Sequence, residues 1–197
     1  MLDKLLGSYN VILGSASPRR AELFNMLKIP FTIRLSEIAE DSTEPDPAKQ
    51  ARQNALSKAI AIRALCQPQD IIVCADTIVI LDGSILGKPA SPMVAKEYLR
   101  LLSGKTHTVI SAICIHHLDK AHLCHETSHV TFTELSPNEI DAYVASGEPL
   151  DKAGAYGIQG LGSQFITGIN GCYFNVMGFP IPRFYNQLKD MQARGEL

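Results

Sequence analysis

The chain has 197 residues, of which 46% are hydrophobic and 19% are charged, and its formal net charge is −2. This length suits one substantial domain, or two small lobes that share a core. The near-neutral charge excludes bulk electrostatic attraction to nucleic acid or to an anionic membrane, so any anion site must be built locally. The longest apolar stretch, Ile71–Leu81, contains Asp76 and is too short to span a bilayer.

The N-terminus and the cysteines bear on localisation. The first residues lack an apolar segment long enough for a signal peptide. The five cysteines are odd in number, scattered along the chain and without a CxxC pair. Such usage is typical of the reducing cytoplasm rather than of a disulfide framework. We therefore expect a cytoplasmic protein.

The first predicted elements lie in Val11–Arg20, which has the sequence VILGSASPRR. Val11–Leu13 is a short apolar run of the kind found in strands buried on both faces, and small residues follow it. Ser17 is predicted to cap a helix with its side chain, and Pro18 suits the first helical position.

The same stretch is a candidate anion site. Backbone N–H groups of the turn and the helix start would point to the place where the hydroxyls of Ser15 and Ser17 and the guanidiniums of Arg19 and Arg20 lie. This combination favours a phosphate or another anion. The alternative is an ordinary capped helix with two solvated arginines.

Further along the chain, apolar runs alternate with turn signals, and these patterns predict the remaining elements. In chain order they are a strand at Phe31–Leu35, an acidic loop at Ser36–Asp46, a helix from Pro47, a strand at Ile71–Ala75 that ends at Asp76, a hairpin of Ile78–Leu81 and Ile85–Leu86, a helix from Pro92 to near Gly104, strands at Thr106–Ile115 and Leu123–Thr133, a helix from Pro137 to Gly147 with Glu139 in a capping box, an irregular segment at Glu148–Gly162, a hairpin of Phe165–Ile169 and Cys172–Val176, and a helix at Pro182–Arg194. This order predicts an α/β fold with a mixed, twisted central sheet flanked by helices.

The helix from Pro47 has a charged residue on its apolar face. The predicted stripe consists of Ala51, Ala55, Ile62 and Leu65, and Lys58 falls on it. A lysine in such a place must either extend its ammonium to solvent or meet an anion. Extension to solvent is the commoner outcome, so this signal is weak by itself.

Asp76 follows a predicted buried strand, which is the usual position of a ligand-facing group in an open α/β sheet. The alternative is an aspartate that caps a turn. Glu40, in the acidic loop, is the candidate for a second carboxylate. Two carboxylates with water suit Mg²⁺ or Mn²⁺, which prefer hard oxygen ligands and phosphate partners.

The cationic candidates come from separate segments. Arg19, Arg20, Lys58 and Lys88 would together suit a triphosphate, with a metal ion neutralising the remaining charge. Spacing alone does not show that they converge.

A histidine-rich stretch invites a zinc interpretation, but its spacing does not favour one. It comprises His116, His117, His122, His125 and His129, with Cys124 nearby. These residues straddle a predicted strand turn, and no clean structural-zinc pattern is present. A serine-hydrolase interpretation also fails, because no G-x-S-x-G elbow exists.

Together, several segments make this chain resemble the Maf family of nucleoside triphosphate pyrophosphatases. They occur in the family's order and span nearly the whole chain: Ser15–Arg20, Glu40, Lys58, Ala75–Thr77, Gly87–Pro89, Leu102–Gly104 and Asp151–Gly160. The combination is far more specific than any one segment. One departure is Leu86–Gly87 before Lys88, where some relatives have an acidic residue.

The resemblance implies a single domain over 1–197, with two lobes, a cleft between them and a fold like that of inosine triphosphatases. It implies hydrolysis of a nucleoside triphosphate to the monophosphate and pyrophosphate with a divalent metal ion, Mg²⁺ or Mn²⁺. Thr77 and the late run DKAGAYGIQG resemble the branch that acts on dTTP and UTP, in a house-cleaning role that could include modified pyrimidine nucleotides.

The resemblance also assigns roles by position. Asp76 matches the family's general base, and Glu40 and Asp76 match its metal ligands. The positions matching the phosphate-binding set are Ser15, Ser17, Arg19, Arg20, Lys58 and Lys88. The positions matching those tied to base choice are Arg19, Thr77 and Gln159.

Two other functions stay open at this point. One is a nucleotide-binding regulator of cell division with little turnover, because fold alone does not imply activity. The other is a purine pyrophosphatase acting on inosine triphosphate. The expected partner is a nucleoside triphosphate rather than nucleic acid or a membrane, and the oligomeric state is open, a homodimer included.

Overall fold

The computed structural model describes residues 2–38 and 44–197. Within them the helices are α1 (Leu2–Leu6), α2 (Pro18–Met26), α3 (Pro47–Arg63), α4 (Pro92–Leu102), α5 (Pro137–Ala145), α6 (Tyr173–Val176) and α7 (Ile181–Ala193). The strands are β1 (Val11–Gly14), β2 (Thr32–Ile33), β3 (Ile71–Leu81), β4 (Ser84–Leu86), β5 (Thr106–His117), β6 (Lys120–Phe132) and β7 (Ile166–Asn170). Short 3₁₀ turns cover Glu148–Asp151, Ala153–Ala155 and Gly160–Phe165.

The strands form one mixed sheet in the order β2-β1-β3-β5-β6-β7, and β4 pairs with β3 outside this path. Strand β1 is parallel to both β2 and β3. Strand β4 is antiparallel to β3, and β7 is antiparallel to β6. The predicted α/β class with a mixed central sheet and flanking helices is therefore confirmed.

Helix starts were the most predictable features. Asp46, Ser91 and Ser136 each occupy an N-cap and accept hydrogen bonds from backbone N–H groups of their helices, and a proline opens each helix. The capping box between Ser136 and Glu139 is present on both sides. Helix α1 was not predicted, because its five residues give too little periodicity.

The prediction that a strand ends at Asp76 is wrong. Strand β3 runs without a break from Ile71 to Leu81, and the hairpin with β4 is its second half. Its pairing with β1 does stop early, because the last parallel pair is Gly14 with Cys74. Asp76 therefore lies within β3 but just beyond the carboxyl end of β1. A carboxylate is tolerated inside this strand because it has buried partners.

The predicted hairpin at Phe165–Ile169 and Cys172–Val176 is also wrong in its second half. Strand β7 pairs with β6, but the residues after Gly171 form helix α6. Gly171 has φ 130°, and a Cβ there would lie 2.6 Å from Ser128 Oγ. Asn175 is fully buried and donates hydrogen bonds to Val109 O and Ser128 Oγ, both at 2.9 Å. These tertiary contacts favour a helical turn over the β propensity of the segment.

Helix α3 has the predicted inward face with one exception. Ala51, Ala55 and Ile62 are fully buried. Leu65 lies beyond the helix, which ends at Arg63, and 62% of its surface is exposed. The prediction that Leu65 belongs to the buried stripe is thus wrong, because the helix ends two residues before it.

The chain divides into two compact units. Unit 1 consists of Met1–Asp76, Ser111–Glu126 and Gly178–Leu197. Unit 2 consists of Thr77–Ile110 and Thr127–Met177. Each has its own aromatic contacts: Phe24 packs on Phe179 and Phe184 in unit 1, and Phe132 packs on Tyr156 and Phe165 in unit 2. None of the helices in the described part of the chain has the length and apolar character needed to cross a bilayer.

Candidate functional site

A buried polar cluster in unit 1 is centred on Asp76. Its Oδ1 lies 2.9 Å from Lys58 Nζ, and its Oδ2 accepts a hydrogen bond of 2.9 Å from Asn54 Nδ2. Only 4% of Asp76, 9% of Lys58 and 7% of Asn54 is exposed. Both carboxylate oxygens are therefore held by donors within the protein, and the orientation of the carboxylate is set by helix α3.

Helix α3 brings Lys58 to this place because of its periodicity. Asn54 and Lys58 are four residues apart and so lie on one helix face, together with the buried alanines that pack on the sheet. Lys58 does not extend to solvent; its ammonium lies against Asp76 and also donates to Ala75 O at 3.4 Å. A buried charge of this kind needs a partner of opposite sign, and Asp76 supplies it.

Arg20 connects three separate parts of unit 1. Its Nη1 donates to Ser15 Oγ at 3.1 Å and to Ala75 O at 3.0 Å, and its Nε donates to Gly178 O at 2.9 Å. The guanidinium thus joins the turn after β1, the backbone of β3 next to Asp76 and the segment before α7. The planar fork of arginine can reach these separate acceptors at once.

The predicted side-chain cap by Ser17 is wrong. Ser17 occupies the N-cap of α2, but its side chain makes no capping hydrogen bond. Instead, Ser15 Oγ accepts from Ser17 N at 3.2 Å as well as from Arg20. Ser15 is buried, and its hydroxyl binds the amide of the N-cap residue itself rather than an amide in the first turn of α2. Arg19 is half-buried in the first turn of α2.

The charges of this cluster are unequal. Asp76 is the single described carboxylate among its members, whereas Arg20 and Lys58 supply two cations. Such an excess suits a polyanion, which would meet charge-assisted donors rather than repulsion. Nearby, burial raises the pKa of the Cys74 thiol to about 12, against the opposing effect of the Lys58 and Arg20 charges. Cys74 is therefore an uncharged packing residue.

The other sequence-predicted site residues belong elsewhere. Thr77, Lys88 and Gln159 are part of unit 2. Lys88 is exposed, and the preceding Gly87 O accepts from Gly154 N at 3.1 Å. Gln159 is half-buried. Glu40 lies outside the described residues, so its predicted role as a metal ligand stays a prediction.

Asn54 is the member of the cluster that sequence reasoning missed. An asparagine in the middle of a helix has no distinctive signature of its own. The available signal was its spacing, because it stands four residues before the out-of-place Lys58 and three after Ala51 on the apolar stripe. A buried polar pair on one helix face indicates a shared partner.

Within 2–38 and 44–197, no group of three or more His, Cys, Asp or Glu residues could hold a metal ion by itself. Asp76 nevertheless has the hard oxygen ligands that Mg²⁺ prefers, and Mg²⁺ is commonly bound by one or two carboxylates with substrate phosphates. The donor chemistry therefore fits a divalent ion that binds together with a phosphorylated substrate.

The histidine-rich stretch has ordinary polar contacts. His125 Nδ1 lies 3.1 Å from Arg52 Nη1, and His129 Nδ1 lies 3.2 Å from Thr108 Oγ1. His122 Nδ1 is 3.9 Å from Glu196 Oε2. These three histidines thus face three different neighbours rather than one shared centre.

A family model described as Maf-like protein matches residues 10–191. The chain belongs to the Maf family. The matched range covers most of unit 1, all of unit 2 and every predicted site residue. The Maf resemblance of the sequence is therefore confirmed.

Relatives of this Maf-family chain include proteins named dTTP/UTP pyrophosphatase. One from Bacillus cereus (strain AH187) and one from Bacillus anthracis are each 48% identical over 180 residues, which is 91% of this chain and 94% of theirs. Among solved structures, the Staphylococcus aureus Ham1 protein covers 95% of this chain and 100% of its own, with a TM-score of 0.53 and 13% identity. That likeness supports the fold alone.

Proposed function

We propose that this Maf-family chain is a nucleoside triphosphate pyrophosphatase that hydrolyses dTTP and UTP to the monophosphate and pyrophosphate. The observation that carries the proposal is the buried pair of Lys58 and Asp76, with Arg20 bonded to the adjacent Ala75 carbonyl. It occurs in a chain that is 48% identical to proteins named dTTP/UTP pyrophosphatase.

The proposed reaction is attack of water on the α-phosphorus. A bond forms between the water oxygen and phosphorus, the bond from the α-phosphorus to the bridging oxygen breaks, and pyrophosphate leaves. We assign Asp76 as the general base that takes the proton of the water. Lys58 and Asn54 hold its two oxygens, and each carboxylate oxygen has a second lone pair with which to orient water.

The proposed cofactor is Mg²⁺ or Mn²⁺, held by Asp76 and Glu40. When bound, such an ion spreads the negative charge of the phosphates. Six residues of the chain are proposed to bind the phosphates beside the metal ion: Ser15, Ser17, Arg19, Arg20, Lys58 and Lys88. Cations that bind the leaving pyrophosphate stabilise the charge that develops on it.

Base choice is assigned to Arg19, Thr77 and Gln159. A glutamine amide both donates and accepts hydrogen bonds, as the edge of thymine or uracil requires. A site with a fixed donor and acceptor discriminates against a base that leaves them unpaired.

We further propose that residues 1–197 act as a single functional domain in the cytoplasm. Each of the five cysteines is a free thiol, which supports a reducing compartment. A homodimer is the assembly to test first, by light scattering of the purified protein.

The deciding experiment is a nucleotide panel with product identification. Purified protein is incubated with dTTP, UTP, CTP, GTP, ATP and inosine triphosphate, with Mg²⁺ or Mn²⁺ and with excess EDTA. We expect pyrophosphate and monophosphate from dTTP and UTP only when the metal ion is present. Orthophosphate as the direct product, or full activity in EDTA, contradicts the mechanism. Preference for inosine triphosphate indicates the purine activity, and tight binding without turnover indicates a regulator.

A further inference from the structure

The segment that contains Gln159 is held from one side by a single carboxylate. In residues 157–162, called the Gln159 segment here, Leu161 N donates to Glu148 Oε2 at 2.9 Å and Gly162 N donates to Glu148 Oε1 at 3.1 Å. Glu148 stands in the first of the 3₁₀ turns, and its carboxylate reaches across to the third. Two successive backbone N–H groups on one carboxylate form a specific anchor.

A tyrosine holds the same segment from its other end. Tyr143, on α5, donates from Oη to Glu148 Oε1 at 3.0 Å and accepts from Gly157 N at 3.1 Å. Only 3% of Tyr143 is exposed. The anchors therefore flank Gln159 on both sides, at Gly157 before it and at Leu161 and Gly162 after it, while Gln159 itself remains half-buried.

Two glycines let the backbone of the segment pass close to its anchors. Gly160 has φ +77°, and a Cβ there would lie 2.7 Å from Glu148 Oε2. A Cβ on Gly162 would lie 2.5 Å from Gly157 O and 2.6 Å from Tyr143 Oη. Glycine is needed at Gly160 because of its positive φ, and at Gly162 because the Gly157 carbonyl leaves no room for a Cβ.

The protonation states match this arrangement. Burial acts to raise the pKa of Glu148, but the hydrogen bonds from Leu161 N, Gly162 N and Tyr143 outweigh it, and the pKa is lowered. Burial raises the pKa of Tyr143 well above its usual range. At neutral pH an ionised carboxylate thus accepts hydrogen bonds from a neutral phenol and two amides.

We propose that Glu148 and Tyr143 are positioning residues for base selection, because together they hold both ends of the Gln159 segment and present its amide in one orientation. This inference rests on the proposed function, in which Gln159 binds the pyrimidine edge. A flexible amide can rotate to suit several bases, whereas an amide on a fixed backbone penalises the base that does not match.

The test compares Glu148→Gln and Tyr143→Phe with the wild-type protein. Steady-state kinetics are measured for UTP, dTTP, CTP and GTP, with a thermal melt of each variant. Glu148→Gln places an NH₂ group opposite existing donors, and Tyr143→Phe removes both bonds of the hydroxyl. For each we expect KM for UTP to rise about tenfold, kcat to change far less, and the preference for UTP over GTP in kcat/KM to fall about tenfold, as the loss of one or two hydrogen bonds predicts.

Glu139→Gln is the matched control. Glu139 also binds the backbone through its carboxylate, at Ser136 N with 2.8 Å, but it caps the start of α5. The Glu139→Gln substitution should lower the melting temperature modestly and leave the nucleotide preference unchanged. Wild-type nucleotide preference in both anchor variants, with only a lower melting temperature, overturns the proposal. If Glu148→Gln does not fold, Tyr143→Phe decides by itself.

Different results would contradict the proposed hydrolysis and the positioning role of Glu148 and Tyr143. If the wild-type protein hydrolyses neither UTP nor dTTP, the proposed function is wrong. If it hydrolyses both and the anchor variants keep its selectivity, the function stands and the positioning role is wrong.

Discussion

Lys58 Nζ lies 2.9 Å from Asp76 Oδ1, and the side chains of the two residues are 11% and 6% exposed. A lysine on the apolar face of α3 and an aspartate inside β3 thus neutralise each other in the interior. Removing one member of a buried ion pair leaves an uncompensated charge, which commonly costs about 3–5 kcal/mol. The pair therefore affects both stability and the proposed chemistry, and experiments on it must measure both.

Asp76→Asn is expected to lower turnover by about 10²–10⁴, because an amide cannot take a proton from water. The melting temperature should also fall, since Lys58 loses its counter-charge, but the similar shape of asparagine should keep the protein folded. Triphosphate binding should persist, because the cations remain. Kinetics, calorimetric nucleotide binding and a thermal melt measure these effects.

Asp70→Asn is the matched control for Asp76→Asn. Asp70 is a buried aspartate just before β3 that accepts from Asn10 Nδ2 at 3.0 Å and from Gln67 N at 2.9 Å. The Asp70→Asn variant should have a lower melting temperature than the wild-type protein and an unchanged kcat. A near wild-type kcat for Asp76→Asn removes Asp76 from the mechanism.

Lys58→Met is expected to weaken nucleotide binding and turnover, because a cation is lost next to the proposed base. Lys49→Met, on the exposed part of the same helix, should behave as wild type. The double variant Lys58→Met with Asp76→Asn removes both charges, so neither is left unpaired in the interior. Its loss in the free energy of unfolding should therefore be smaller than the sum of the losses in the two single variants. Urea unfolding of the four proteins gives this coupling, and strict additivity would show that the pair does not interact.

Arg20→Lys is expected to lower nucleotide affinity and stability together. One ammonium cannot replace the fork that reaches Ser15 Oγ, Ala75 O and Gly178 O, and a buried acceptor left without a donor costs about 1–3 kcal/mol. Arg63→Lys is the control, because Arg63 donates to the carbonyls of Pro68 and Asp70 outside the cluster. If Arg20→Lys and Arg63→Lys lose nucleotide affinity equally, the loss reflects lower protein stability and not a contact of Arg20 with the nucleotide.

His107 should make the protein less stable in acid. Its Nε2 lies 2.7 Å from Tyr156 Oη, and burial lowers its pKa from 6.5 to about 4. Between those values the unfolded chain binds a proton that the folded protein does not, so this contribution to stability is complete above about pH 6.5 and is lost as the pH falls towards 4. Its full size is about 3 kcal/mol.

The measurement for His107 is urea unfolding at pH 4.5 and pH 7, with His107→Gln as the comparison. The carboxylates titrate in both proteins, so the difference between their pH dependences reports the histidine. His107→Gln should lose less stability on acidification than the wild-type protein. Identical losses would contradict a buried, neutral His107.

The histidine-rich stretch is expected to hold no structural zinc. Metal analysis of protein purified without chelator should find far less than one zinc per chain, and His122→Ala with His125→Ala should leave the metal content unchanged. About one tightly held zinc per chain that disappears in this variant would refute the prediction.

Local signals made much of the fold predictable. The N-caps at Asp46, Ser91 and Ser136 and the prolines after them are short-range features, and the helices begin where they indicate. The hairpin of β3 and β4 was predictable from Asp82-Gly83 between two apolar runs. Asp76 led to the wrong prediction of a strand end, because a carboxylate fits inside a buried strand only when distant residues form hydrogen bonds or ion pairs with it.

The candidate site was predictable as a set of residue types but not as an arrangement. The order of motifs placed this chain with the Maf family, and Lys58 was already out of place on an apolar stripe. Spacing placed Asn54 on the same helix face as Lys58, but it did not show that both would bind Asp76. It also did not show that the Ser17 side chain would leave its helix uncapped while Ser15 Oγ accepts from Ser17 N. These contacts join segments that are far apart in the chain or depend on a side-chain rotamer.

The sequence by itself determined the class of fold, the helix starts and the family, because periodicity, capping and motif order act over a few residues each. Only the tertiary structure decided that Asp76 lies within β3, that Gly171 leads into a helix, and that Glu148 anchors the Gln159 segment. The physical reason is the same in each case. The deciding partners come from elsewhere in the chain: Lys58 and Asn54 for the buried charge of Asp76, Ser128 for the segment after Gly171, and the amides of Leu161 and Gly162 for Glu148.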